Sequence, residues 1–347
     1  MDHPSPTHMV PDGPDWLSDA HCSLEARLRE AVAHLDPATR EAVDQCFGWR
    51  NGTDRTSAVS TGRELATLTL LTACLSGGDG RRALSAALAC ELAFHAAVIH
   101  DDLLDHDLTR NGRSAVWSVF GQTAAIKAGN ALTAVAFNAL AISVPEQAGL
   151  TTGWLARTLA RVNAGQLLEV QFASRTSISP AEYMGMVDSK AGALAACGCA
   201  LGAVFAGAGA DTVAGLAAFG SRLGALWQLR KDYLGIWVDP ALTGRPAHHD
   251  LKSRKKTYPV LVALAHTGDR RERLAQLYHH TPPGPLSDQD TQRAAELIEL
   301  CAGREGTLDE IRRLLDEALA LVERFVPDST AREALTGLAS DYAAVGQ

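Results

Sequence analysis

The chain has 347 residues, of which 46% are hydrophobic and 21% are charged. This composition supports one large packed domain or two ordinary ones and excludes a disordered protein. The formal net charge of −8 at pH 7 favours solubility and argues against a nucleic-acid partner, which requires a basic surface. No run of about eighteen uninterrupted apolar residues occurs, so we expect no integral membrane span.

The cysteines and the N-terminus suggest the compartment and the domain organisation. The seven cysteines are odd in number and mostly lie in apolar helical stretches, which favours reduced, buried thiols over a disulfide framework. Residues 1–15 carry four prolines and no basic-then-apolar signal pattern. We therefore expect a flexible tail over residues 1–20, one domain over residues 21–347, and a cytoplasmic protein.

The periodicity of apolar residues predicts an all-α fold. Apolar residues recur at three- and four-residue spacing along nearly the whole domain, and alternating strand-like runs are nearly absent. Clusters of glycine, proline and asparagine separate the periodic stretches. In chain order, the pattern predicts long helices over residues 23–35, 63–75, 82–105, 123–143, 153–173, 180–208, 211–238, 256–266 and 288–325.

The predicted helix over residues 82–105 ends in a dense group of carboxylates. Asp101 and Asp105 stand four residues apart and share one helix face, whereas Asp102 lies about 100° around the helix. Carboxylates crowded on an apolar helix repel one another, and a hard divalent cation relieves that repulsion. Mg²⁺ fits this pattern best, because it prefers a few carboxylates together with phosphate oxygens. The alternative interpretation is a solvated acidic helix end.

Two stretches resemble the aspartate-rich motifs of the trans-isoprenyl diphosphate synthases, the polyprenyl synthetase family that makes farnesyl and geranylgeranyl diphosphate. The first is IHDDLLDHD at residues 99–107, followed by Arg110, and the second is QLRKDYLG at residues 228–235. GQLLE at residues 165–169, Lys190 and the basic stretch at residues 250–257 match in the same order. The resemblance implies an isoprenoid synthase fold, which is a single helical bundle around a deep central cavity, and usually a homodimer.

The resemblance also implies roles for individual residues. Up to three Mg²⁺ ions would be held against the diphosphate by Asp101, Asp105, Glu169 and Asp232. Diphosphate binding is implied for Arg110, Gln166, Lys190, Gln228, Arg245 and Lys255. Catalysis is implied for Asp101, Asp102, Asp105, Arg110, Lys190 and Asp232. The cavity would be lined by Phe94, Ala96 and Ala97, and the small alanines would leave depth for a geranylgeranyl chain.

The chain departs from the family where members bind a second substrate, isopentenyl diphosphate. The family's Gly-Lys-x-x-Arg run reads GRELA at residues 62–66, so that Ala66 replaces an arginine. Phe94 stands in place of a His or Gln, and Asn111 in place of a second arginine. Each lost charge-assisted contact removes about 1.5–3 kcal/mol of binding free energy. In the second aspartate motif, Lys231 and Gly235 replace carboxylates, so either the site keeps fewer Mg²⁺ ions or Lys231 places its own positive charge where one ion would sit.

These departures lead to one expected function and three alternatives. With its allylic site intact and its acceptor site depleted of positive charge, the chain is expected to be a class I terpene synthase. It would ionise geranylgeranyl or farnesyl diphosphate with Mg²⁺ and then direct cyclisation or elimination. The Phe94 ring would stabilise a carbocation, or would simply pack in the core. The alternatives are chain elongation with isopentenyl diphosphate as in a geranylgeranyl diphosphate synthase, prenyl transfer to another acceptor, and a non-catalytic partner subunit.

Overall fold

Helices account for most of the residues in this computed structural model, which describes residues 15–50, 63–75, 80–110, 112–237, 248–279, 284–326 and 329–345. In chain order the α-helices are α1 (Asp15–Val32), α2 (Pro37–Phe47), α3 (Glu64–Leu75), α4 (Leu84–Leu104), α5 (Val116–Phe120), α6 (Gln122–Ala141), α7 (Ala148–Ser174), α8 (Pro180–Val187), α9 (Ala193–Phe205), α10 (Ala210–Trp237), α11 (His249–Lys252), α12 (Tyr258–Ala265), α13 (Asp269–His279), α14 (Asp288–Leu300), α15 (Gly303–Phe325) and α16 (Ser329–Ala343). Two 3-10 turns lie at Gly80–Ala83 and Pro145–Gln147, a π-helical turn lies at Asp188–Gly192, and a hairpin is formed by β1 (Thr109–Arg110) and β2 (Arg113–Ser114). The expected all-α class is confirmed.

The centre of the bundle is formed by α3, α4, α9 and α10. Every residue of α9 is buried, and small side chains allow its neighbours to approach closely. A Cβ atom added at Gly220 would lie 2.4 Å from the carbonyl oxygen of Ala195, and one added at Gly224 would lie 2.4 Å from that of Ala191. These two glycines therefore let α10 pack directly against the backbone of α9 and of the π turn. The close packing fixes the positions of α9 and the π turn relative to α10.

Helix α2 is absent from the periodicity-based prediction, although its ends are marked in the sequence. The Asp36 carboxylate accepts hydrogen bonds from the amides of Ala38 and Thr39, and Pro37 occupies the first turn. Gly48 ends the helix with a φ of +76°, which glycine adopts readily. The capping residues would have predicted this short helix where the apolar pattern did not.

Two of the predicted helices are interrupted, and the predicted tail is too long. The stretch 180–208 is divided by the π turn, and the stretch 288–325 is divided near Ala302, which has a φ of +58°. Periodicity continues across both interruptions because the flanking helices bury apolar residues against the same bundle. Helix α1 begins at Asp15, so residues 15–20 of the predicted tail are helical. Residues 1–14 lie outside the described part of the chain.

Two helical stretches are long and apolar enough to cross a membrane, namely Gly80–Leu104 and Pro180–Phe205. In the bundle, 72% of the most apolar window of the first stretch and 78% of that of the second are buried inside the protein. Such burial is typical of core helices, which are apolar because protein surrounds them.

Candidate active site

A cavity that opens to solvent lies between α3, α4, α7, α9, α10 and α16. Most of its wall is apolar and includes Leu68, Phe94 and Leu194. The polar side chains that reach it are those of Glu64, Asp101, Arg110, Gln166, Lys190, Gln228, Lys231 and Tyr342. A concave apolar space with a few converging polar groups is typical of a site for a small molecule.

Carboxylates and ammonium groups alternate beside this cavity. Lys190 Nζ lies 2.5 Å from Asp101 Oδ1 and 2.5 Å from Glu169 Oε2. Lys255 Nζ lies 3.0 Å from Glu169 Oε1 and 2.8 Å from Asp105 Oδ2. These five side chains, here called the charged cluster, form one continuous series of ion pairs from Asp101 to Asp105. All five are residues that the sequence assigns to the site, and the fold brings them together.

Arg110 connects the charged cluster to Asp102. The Arg110 Nη2 atom lies 3.5 Å from Asp101 Oδ2, and its Nε donates a hydrogen bond to Asp102 Oδ1. Asp102 is 4% exposed, and burial raises its pKa to about 6 although Arg110 opposes the shift. Asp102 does not line the cavity, so it acts on the site by holding the Arg110 guanidinium, which the short hairpin supplies.

Within the charged cluster, burial and the opposite charges act against each other on the pKa values. Burial by itself raises the pKa of Asp101, but the neighbouring ammonium and guanidinium groups outweigh it and lower that pKa. The pKa of Glu169 is lowered against burial in the same way, whereas burial raises the pKa of Asp105. Burial disfavours the charged forms of Lys190 and Lys255, yet the surrounding carboxylates raise both pKa values. Both lysines are therefore cations at neutral pH.

The π turn between α8 and α9 positions Lys190. Asp188, at the start of this turn, accepts a hydrogen bond of 2.5 Å from Ser221 Oγ of α10 and pairs at 2.7 Å with Arg161 of α7. A Cβ atom at Gly165 would lie 2.9 Å from the Lys190 backbone nitrogen, so α7 packs against the turn at a distance that requires glycine. Such turns shift side chains out of α-helical register and recur at functional sites.

The second acidic motif does not join the charged cluster. Asp232 is 2% exposed, and burial raises its pKa to about 6. Its carboxylate accepts hydrogen bonds of 2.6 Å from Tyr183 Oη, 2.8 Å from Gln228 Nε2 and 3.2 Å from the Tyr258 amide. These contacts favour a structural role, in which Asp232 ties α8 and α12 to α10. Its role as a metal ligand stays a prediction.

Arg63 lies in the region expected to bind a second diphosphate, and it forms ion pairs with two carboxylates. Arg63 Nη2 lies 2.6 Å from Glu25 Oε2, and its Nη1 lies 3.4 Å from Glu91 Oε1. Glu91 is 2% exposed and also lies 3.1 Å from His95 Nε2. Ala66 is fully buried. Among the described residues of this region, the positive charge of Arg63 is thus already neutralised within the protein.

The other predicted residues divide among three places. Phe94, Ala97 and Gln166 line the cavity, and Gln166 Nε2 donates a hydrogen bond of 3.0 Å to the Ala97 carbonyl oxygen. The role of Ala96 in substrate binding stays a prediction, but its side chain lines a second cavity rather than the main one. The reason is that adjacent helical residues point about 100° apart. Asn111 and Arg245 lie outside the described residues.

Four side chains of the cavity wall are absent from the residues that the sequence assigns to the site. Trp227 and Lys231 stand four residues apart on α10, and Lys231 Nζ lies 4.5 Å from the Trp227 ring centroid. That spacing is a sequence signal for their contact. Tyr342 comes from the last helix, far from every motif, and no local pattern points to it. Glu64 is visible in the sequence as an acidic residue inside a run that is basic in the family.

Comparison with known proteins places the chain in a family. Residues 58–298 match the polyprenyl synthetase family. A (2E,6E)-farnesyl diphosphate synthase of Mycobacterium tuberculosis is 33% identical over 91% of this chain and 89% of its own. A geranylgeranyl diphosphate synthase of the same organism is 33% identical over 88% of this chain and 89% of its own.

Solved structures agree with the sequence comparison. The crystal structure of a polyprenyl synthetase from Streptomyces coelicolor A3(2) superposes with a TM-score of 0.86 at 32% identity, and covers 94% of this chain and 98% of the other. The chain therefore belongs to the polyprenyl synthetase family and has the all-α isoprenoid synthase fold.

Proposed function

We propose that the protein uses Mg²⁺ to ionise an allylic isoprenyl diphosphate. The observation that carries this proposal is the charged cluster beside an apolar cavity. Such an arrangement offers metal ligands and fixed cations to a diphosphate, and an apolar space to its hydrocarbon chain. Relatives named for farnesyl and geranylgeranyl diphosphate support the same class of substrate and favour an enzyme over a non-catalytic subunit.

The donor set fits Mg²⁺. Asp101 and Asp105 offer hard oxygen ligands one turn apart at the C-terminal end of α4, and Glu169 is joined to both through the two lysines. Within the residues that the structure describes, no three His, Cys, Asp or Glu side chains converge to enclose a metal. Mg²⁺ commonly uses one or two carboxylates and completes its shell with phosphate oxygens and water. When bound, the ion would neutralise charge on the leaving diphosphate.

Arg110, Lys190 and Lys255 would bind the diphosphate. In the structure their charges neutralise the carboxylates of the site, so the cations are held in place before a substrate arrives. On binding, these cations would turn toward phosphate oxygens. The allylic C–O bond then breaks, its electron pair leaves with the diphosphate, and an allylic cation remains. Fixed positive groups stabilise the negative charge that develops on the leaving group.

Two fates of the allylic cation are supported by different observations. The names of the relatives favour chain elongation with isopentenyl diphosphate, the first alternative from the sequence, over the cyclisation that the sequence favours. The acceptor region favours reaction without a second diphosphate, because Ala66 and Phe94 stand where the family has polar or charged side chains and Arg63 is paired with two carboxylates. Because of these features of the acceptor region, we favour cyclisation or elimination of geranylgeranyl or farnesyl diphosphate in the cavity.

Supplying one allylic diphosphate at a time tests this choice. With Mg²⁺ and geranylgeranyl diphosphate alone, we expect diphosphate release together with hydrocarbon or alcohol products. Products that appear only after isopentenyl diphosphate is added would overturn cyclisation in favour of elongation. Calorimetry with isopentenyl diphosphate alone provides a second measurement, in which we expect no tight binding. Adding other prenyl acceptors in the same assay tests transfer to a different acceptor.

We also propose that the protein is a cytoplasmic homodimer. Large apolar side chains are exposed on α5, α6 and α7, namely Val119, Ile126, Leu150, Leu167 and Val170. A second copy that covers this surface would remove them from water.

A further inference from the structure

A carboxyl group lies on the cavity wall apart from the charged cluster. Glu64 is the first residue of α3 and lines the cavity together with Phe94, Trp227, Lys231 and Tyr342. A carboxylate here is unexpected in an apolar space, because burying its charge is costly. A role in the reaction inside the cavity would explain why a carboxyl group is placed there.

The reaction itself requires a group that accepts a proton. A cyclised or rearranged carbocation becomes a stable alkene only when a C–H bond next to the cationic carbon gives up its proton. The other polar side chains of the described wall are poor acceptors. Asp101 is paired with Lys190 at 2.5 Å, amides are not basic at neutral pH, and the lysine and arginine side chains already carry protons.

We propose that Glu64 accepts the proton that ends the carbocation reaction, an inference that rests on the proposed function. The C–H electron pair becomes the new C=C bond, and the proton moves to a carboxylate oxygen of Glu64. The overall balance is allylic diphosphate to alkene, diphosphate and one proton, which Glu64 later gives to solvent. The aromatic wall from Phe94 and Trp227 would stabilise the cation without reacting with it.

The surroundings of Glu64 suit reversible proton transfer. Burial raises its pKa to about 7, and Glu91 of α4 acts in the same direction. Arg230 and Lys231 of α10 and a hydrogen bond with Trp227 oppose that rise, and Tyr342 of α16 is a further titratable neighbour. Because only the ionised form accepts a proton, the alkene share of the products should rise with pH through this range.

Replacement of the carboxylate tests the proposal. Glu64→Gln and Glu64→Asp are incubated with Mg²⁺ and geranylgeranyl diphosphate, and diphosphate release is measured separately from the product distribution. We expect Glu64→Gln to keep diphosphate release and to lose about 10²-fold of the main alkene relative to alcohols or other alkenes. Glu64→Asp should retain part of that alkene. The matched control is Glu323→Gln, at an exposed position on α15, which should behave as the unaltered protein.

The outcomes separate this inference from the proposed function. An unchanged product distribution in Glu64→Gln, with diphosphate release intact, would assign the proton to the departing diphosphate or to water and overturn the inference alone. Absence of diphosphate release by the unaltered protein from any allylic diphosphate alone would overturn the proposed function. If Glu64→Gln does not fold, the pH dependence of the unaltered protein tests the inference instead. An alkene share of the products that stays constant between pH 6 and 8 would contradict proton transfer to a carboxylate with a pKa of about 7.

Discussion

At the scale of single residues, each lysine of the charged cluster is shared between two carboxylates. A Mg²⁺ ion that binds alone would have to displace an ammonium group, and a diphosphate that binds alone would leave carboxylates without positive neighbours. When both bind, the ammonium groups can turn to the phosphate while the carboxylates turn to the metal. The two ligands should therefore bind cooperatively, and each raises the affinity for the other by the same factor.

Thermal unfolding with Mg²⁺, with inorganic pyrophosphate and with both tests this coupling. We expect the joint shift in unfolding temperature to exceed the sum of the separate shifts, with a coupling free energy of about 1–3 kcal/mol. Asp101→Asn should lose the joint shift and the release of diphosphate from substrate. Asp309→Asn, which alters an aspartate with 64% of its side chain exposed, is the matched control. Strictly additive shifts would contradict the exchange of partners.

The residues of the charged cluster could be predicted from the sequence, whereas the state of Arg63 could not. Asp101 and Asp105 are close in sequence and share a helix face, and Glu169, Lys190 and Lys255 match a motif series. The partners of Arg63 come from α1 and α4, which approach α3 only after the bundle has packed. Local patterns carry no information about such contacts between distant segments.

At the scale of elements, the π turn depends on the close approach of α7. A Cβ atom at Gly165 would lie 2.9 Å from the backbone nitrogen and 3.1 Å from Cβ of Lys190. Backbone atoms cannot move aside as a flexible side chain does, so any residue larger than glycine displaces the turn and Lys190 with it. The position of Lys190 is thus set by a glycine on another helix.

Gly165→Ala should destabilise the protein by about 1–3 kcal/mol, as overpacking does, and should also reduce diphosphate release. The control is Gly153→Ala on the same helix, where the new Cβ would lie 3.4 Å from the flexible end of Arg157. There the better helix propensity of alanine should add up to about 1 kcal/mol to the free energy of unfolding. Chemical denaturation measures both. Unaltered stability and activity in Gly165→Ala would mean that the turn tolerates displacement.

The ends and interruptions of the helices were harder to predict from the sequence than the helices themselves. The spacing of apolar residues predicts the helices of the core, because a helix that is buried on one face has an apolar residue there at every turn. It does not give the π turn, since widening a helix by one residue leaves the apolar pattern nearly intact. It also misses α2, whose signal lies in Asp36, Pro37 and Gly48 at its ends. The two-residue strands that present Arg110 are too short to show the alternation of apolar and polar residues that predicts a strand.

At the scale of the whole molecule, the exposed apolar side chains of α5 to α7 bear on assembly. Light scattering after size exclusion should give twice the 36.7 kDa mass of one chain. Ile126→Glu should shift the protein toward monomer, because it places a charge in the surface that a second copy would cover. Leu300→Glu, at an equally exposed leucine of α14, should leave the dimer intact. A 36.7 kDa species at micromolar concentration of the unaltered protein would contradict dimerisation.

The pairing of Arg63 has a consequence for the stability of the bundle. Releasing that arginine would leave Glu91, whose side chain is 2% exposed, in contact with His95 but without a guanidinium partner, and breaking a buried pair of this kind costs up to about 3–5 kcal/mol. The same arginine also pairs with Glu25, so its contacts hold the start of α3 to both α1 and α4. A substitution that frees Arg63 for a substrate would therefore weaken the fold before it changed the chemistry of the cavity.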